Sequence, residues 1–164
     1  EGRVCGYFSS DQGVLRVMPP DSPGGEWRVE KILEGQVGEI AFADIDGDGL
    51  EEMMTIEPFH GNSMKIYKLK EGRYECDFVY PTEVDFAHTL VGAQLNGKPC
   101  FVGGVRRVNA ELFVIRFQNG NYEVISVEDG VGPANVAVIH KEGIDYILSA
   151  NHTKNEAAIY KVVE

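Results

Sequence analysis

Asp44, Asp46, Asp48 and Glu52 recur at alternate positions of Asp44-Ile-Asp-Gly-Asp-Gly-Leu-Glu-Glu52. Carboxylates crowded in this way repel one another unless a cation sits among them. An EF-hand loop would need a glutamate at its twelfth position and flanking helices. Counted from Asp44, the twelfth residue is Thr55, and both flanks read as strands. A nine-residue loop between two strands fits better. Asp44, Asp46 and Asp48 then take its first, third and fifth positions, the Leu50 carbonyl its seventh and Glu52 its ninth. Gly47 and Gly49 permit the sharp backbone path. Oxygen ligands in a flexible loop favour Ca²⁺, because Mg²⁺ demands a near-ideal octahedron. The corresponding turns Gln94–Gly97 and His140–Gly143 lack the acids, so one calcium is expected, in a structural role.

A second set could carry different chemistry: Glu39, His60, His88, Arg106, Arg107, Asn135 and His152. Adjacent arginines can grip a carboxylate, a phosphate or sugar hydroxyls. Histidine titrates near neutral pH and suits proton transfer, so His60, His88, His152, Arg106 and Arg107 are the candidate catalytic residues. Glu39 with His60, His88 and His152 could also collect a transition metal, if they converge. Phe42, Phe59 and Phe86 are either core residues or stacking platforms for a sugar.

Strands must position both sets. Short runs rich in alternating, β-branched and aromatic residues, such as 39–43, 52–56, 63–69 and 73–80, are separated by turn signals at Glu71-Gly72, Asn96-Gly97, Asn119-Gly120 and Glu142-Gly143. No ten-residue stretch carries a helical period, so the chain is expected to be all-β. Internal similarity is visible. Asn62, Asn109 and Asn155 align at spacings of 47 and 46, and so do Ile66, Phe113 and Ile159. Trp27, Tyr74 and Tyr122 align at 47 and 48. A four-stranded period of this length predicts β-propeller blades, with repeats at about 2–33, 39–80, 88–127 and 135–163 of a single domain, 1–164. The outer repeats hold three strands each, which makes about 3.5 blades: the expectation is the C-terminal half of a larger propeller, with seven blades as the suggested count. The missing half or a second chain is the expected partner. In such blades the acidic loop joins the first two strands. The His/Arg set lies on the opposite face, among second-to-third-strand loops and connections between blades.

The acidic loop resembles the calcium loops of the FG-GAP/VCBS repeat family, found in integrin α-chain propellers and many bacterial propellers. Glu52 stands where that family usually has aspartate, and neither a Phe-Gly nor a Gly-Ala-Pro signature is present. The resemblance implies a calcium-stabilised propeller scaffold. Family members include ligand-binding receptor domains, sugar-binding lectins and a sugar dehydratase. The expectation is a propeller that binds a small polar ligand, carbohydrate foremost, on the His/Arg face. A sugar lyase, dehydratase or isomerase is the first alternative, and a protein-interaction scaffold the second.

The formal net charge of -11 disfavours nucleic acid and anionic membranes, which need a basic surface. No apolar run approaches a membrane span. Cys5, Cys76 and Cys100 cannot all pair and sit in strand-like runs. Buried thiols in a reducing, cytoplasmic setting are expected, with a secreted or cell-surface setting as the alternative if an N-terminal segment has been removed.

Overall fold

Alternating apolar and polar runs cut by asparagine–glycine and glutamate–glycine pairs fold as a series of antiparallel meanders. The computed structural model describes residues 4–163, and among these every regular element is a strand. Residues 1–3 and 164, which the expected domain and first repeat include, lie outside the described residues. Sheet one holds β1 (Gly6–Ser10), β2 (Gly13–Met18) and β3 (Arg28–Glu34). Sheet two holds β4 (Glu39–Ala43), β5 (Glu52–Glu57), β6 (Ser63–Lys70) and β7 (Arg73–Val79). Sheet three holds β8 (Asp85–Leu95), β9 (Lys98–Arg107), β10 (Leu112–Gln118) and β11 (Asn121–Glu128). Sheet four holds β12 (Pro133–Lys141), β13 (Ile144–Asn151) and β14 (Glu156–Lys161). Strands pair in chain order within each sheet, giving 3, 4, 4 and 3 strands.

Tight hairpins set the register. At Glu71-Gly72, Asn96-Gly97, Asn119-Gly120 and Glu142-Gly143 both residues have positive φ, between 49° and 81°. That is the type I′ turn, whose twist matches the strands it joins.

The sheets stack face to face in sequence, with a core layer between each consecutive pair. Val14, Met53 and Tyr67 fill the space between sheets one and two. Met54, Ile66, Leu90, Phe101 and Phe113 lie between two and three. Val102, Val114, Val136 and Ile147 lie between three and four. Strands covered on both faces carry continuous apolar runs: Met53–Ile56 of β5, Cys100–Val105 of β9 and Leu112–Ile115 of β10 are wholly buried. In β13 burial alternates residue by residue, as one covered face requires.

The stack is wedge-shaped. The first strands touch, β4 against β8 and β8 against β12. A Cβ on Gly92 would lie 1.9 Å from the Phe42 carbonyl oxygen, so only glycine allows β8 this close to β4. At the outer strands the gap is wider and is bridged by side chains, as where Phe78 of β7 meets Tyr122 of β11 at 4.9 Å between ring centres. Connections between sheets are tied to nearby loops. Val37 N–H donates to the Ser10 carbonyl and Ala87 N–H to that of Gly61. Gly132 is held on both sides, its N–H donating to the Ala110 carbonyl and its own carbonyl accepting His152 N–H.

Of the three cysteines, one is buried as expected and two are not. Cys100 is buried, and the loss of water pushes its thiol up to about 11. Cys76 is exposed and Cys5 only half-buried, because outer and terminal strands are covered on one side at most. Among the described residues no helix is long and apolar enough to cross a membrane.

Candidate functional site: an acidic loop and a ring stack at opposite ends of β5

The loop between β4 and β5 brings ligand oxygens of Asp44, Asp46 and Asp48 within 4.8 Å of one another, a group that could hold a metal ion. Each carboxylate is aimed by its own backbone. Asp46 Oδ1 accepts Asp48 N–H at 3.1 Å, Asp48 Oδ1 accepts Leu50 N–H at 2.8 Å, and Asp44 Oδ2 accepts Gly49 N–H at 3.1 Å. These short-range bonds fold an acidic segment into a tight coil that exposed carboxylates alone would not adopt. Asp44 Oδ1 is buried and has no hydrogen-bond partner. A buried oxygen without a donor is destabilising, and a cation at this point would satisfy it. The donor set therefore fits a hard, oxygen-seeking ion.

Glu52 lies outside that group of carboxylates. It is buried beneath the loop, and its Oε2 accepts Ile45 N–H at 3.0 Å. Burial raises its pKa above the ordinary carboxylate value. The sequence also concealed a resident counter-charge. Lys68 of β6 reaches across and places Nζ 2.5 Å from Asp46 Oδ2 and 3.7 Å from Asp77. No spacing rule within the loop reveals it, because it comes from a strand two positions along the sheet.

At the other end of β5 the rings converge. His60 stacks between Phe59, with ring centres 3.8 Å apart, and Phe86 at 4.3 Å; His88 lies 4.8 Å from His60, nearly parallel. The Arg106 and Arg107 guanidiniums stand 5.1 and 4.6 Å from the Phe86 centre. Arg107 also lies 3.7 Å from Asp85. His60 and Phe86 adopt left-handed backbone, with φ of 51° and 62°, a conformation that costs bulky residues about 1–3 kcal/mol each. His88 is the extra residue of a β-bulge: Ala87 pairs with Val105 and Thr89 with Gly104, leaving it out of the ladder. Bulges re-aim side chains in this way. Its Nδ1 is buried without a hydrogen-bond partner. Burial, then the neighbouring His60, hold its pKa below the ordinary imidazole value.

The remaining candidates are placed differently. Glu39 flanks Phe59, His60 and His88 at a crevice of about 10 Å³, and loss of water raises its pKa. That volume is room for about one water. His152 is exposed on the loop after β13 and acts on His88 only through its charge. Asn135 faces outward on the open side of sheet four. Phe42 packs on Tyr7 between sheets one and two, 4.5 Å between ring centres. Among the described residues the three-carboxylate group of Asp44, Asp46 and Asp48 is the one that could hold a metal ion, and Glu39, His60, His88 and His152 are not in it. His60 and His88 lie face against face, 4.8 Å between ring centres.

No family model and no curated protein matches the chain.

Proposed function

We propose that this chain is part of a calcium-stabilised β-propeller of the FG-GAP/VCBS type, and that it binds a small anionic ligand, foremost a carboxylated carbohydrate, on the ring-stack face. The carrying observation is the stack itself: an exposed Phe59 ring in line with His60, Phe86 and two guanidiniums. An apolar ring face suits the C–H surface of a sugar, and paired guanidiniums suit its carboxylate. Aromatic rings also hold the arginines in place by cation–π attraction. In an acidic protein, such a cluster concentrates positive charge where the surface otherwise repels anions. The wedge-shaped stack of meanders supports the propeller scaffold. The Asp44–Asp46–Asp48 group, with its unpartnered Asp44 oxygen, supports the calcium.

Binding is the reading favoured by the exposed Phe59 ring, because the crevice it shares with Glu39, His60 and His88 holds only about 10 Å³. Titration with galacturonate and with galactose, followed by NMR shifts, tests the ligand class. Galacturonate shifts residues around Phe59, while galactose binds at least tenfold more weakly. Arg106→Ala together with Phe59→Ala removes the shifts. Equal response to both sugars, or no response near Phe59, overturns the reading.

A further inference from the structure

A cavity of about 280 Å³ lies between sheets one and two, beside the turn from β6 to β7 and at the end of the strands away from the ring stack. Its wall on sheet one is a cross-strand row, in which Tyr7 pairs with Arg16 and Arg16 with Glu30. Residues in such a row share a face. Tyr7 packs on Phe42, so this face is the one turned to sheet two. The opposite wall holds Leu69 and Tyr74, also paired in register, with Arg73 at the turn.

The space is open because rings are missing from it. Between sheets two and three, Tyr122 stands opposite Phe117 just as Tyr74 stands opposite Leu69. There the gap is closed, since Tyr122 packs on Phe117 at 5.0 Å and on Phe78 of the neighbouring sheet at 4.9 Å between ring centres. Between sheets one and two, leucine stands in place of one ring and the charged row in place of the other.

The lining carries three cations, Arg16, Lys31 and Arg73, against the one carboxylate of Glu30, in a chain of net charge -11. Glu30 holds Arg16 at 2.5 Å and Glu34 holds Lys31 at 3.2 Å. Donors are left over. Arg16 Nε is buried without a hydrogen-bond partner. Arg73 has no ion pair among the described residues. Burial raises the Tyr74 pKa, Tyr7 adds to the rise and Arg16 opposes it, so the two phenols and the guanidinium share one space. A buried N–H without an acceptor is costly, and an oxyanion supplies the acceptor. Guanidiniums and phenols reaching in from two walls suit phosphate, which offers three strong acceptor oxygens where a carboxylate offers two. Ile32 and Leu69 offer apolar contact to whatever carries the phosphate. The volume lies just below the roughly 300 Å³ at which ligand clefts begin, so that carrier is about one ring in size.

We propose that this cavity binds a phosphate monoester carried on a single ring, with Arg16 and Arg73 gripping the phosphate. Titration of the whole chain with phenyl phosphate, followed by amide NMR shifts, tests it. Amides around Tyr7, Arg16 and Tyr74 should shift, and those around Phe59 should not. Phenol and inorganic phosphate each supply half of the ligand and should bind about tenfold more weakly or worse. Arg73→Met changes an exposed turn residue, so the variant folds, as circular dichroism verifies, and it should weaken phenyl phosphate by about tenfold or more. Arg16→Met should do the same. The proposal is overturned by the absence of shifts at Tyr74, by unchanged binding in Arg73→Met, or by either fragment binding as tightly as the ester.

Discussion

Lys68 changes what the acidic loop does at the level of single residues. With Nζ on Asp46 Oδ2, it neutralises part of the charge that a cation would otherwise meet. Lys68→Met should lower the melting temperature without calcium and enlarge the gain on adding it; calorimetric titration with Ca²⁺ should show tighter binding. Asp46→Ala should abolish the effect of chelator on the melting temperature, a comparison that scanning calorimetry makes directly. His88 gives a pH signature. Its pKa in the fold lies below the ordinary value of 6.5, held down by burial and then by His60. A depressed imidazole contributes stability above pH 6.5 and loses it as pH falls through the folded pKa. His88→Phe keeps a ring in the stack and should flatten the fall in stability below pH 6.5, measured by urea unfolding against wild type. The aspartate spacing was legible because ligands of a tight loop are close in sequence. Lys68 was not, since pairing between strands brings it in. Nor was the aim of His88, which depends on a bulge that alternation alone does not mark.

For the strands and turns, the hairpins were the most legible feature. A two-residue loop of Asn-Gly or Glu-Gly type states its own backbone geometry. Burial on one face or two was also readable, from alternating or continuous apolar runs. Close approach between sheets was not readable, and Gly92 is the case in point. Nothing around it in β8 announces a partner, yet a methyl group there would collide with the Phe42 carbonyl. Gly92→Ala should destabilise by roughly 1–3 kcal/mol through overpacking, read as a lower urea midpoint at unchanged slope. Phe113→Ala, at the buried centre of the layer between sheets two and three, should cost roughly 3–5 kcal/mol.

For the molecule as a whole, charge and shape oppose each other. A net charge of -11 works against the compact state, so stability should rise as salt screens the repulsion. Urea unfolding at about 20 mM and about 300 mM salt checks this at roughly fourfold different Debye lengths. Sheets of three, four, four and three strands were legible, because short turns join strands that neighbour each other both in the chain and in the sheet. What covers the ends was illegible, since a bare face and a covered one carry the same apolar residues. Double burial of β5, β9 and β10 has one further consequence. Amide protons there can meet deuterated solvent only when neighbouring sheets part, whereas those of β1 and β14 need only local fraying. Isotope uptake should therefore be slowest in β5, β9 and β10 and fast in the terminal strands and in the exposed outer strands β7 and β11 between them.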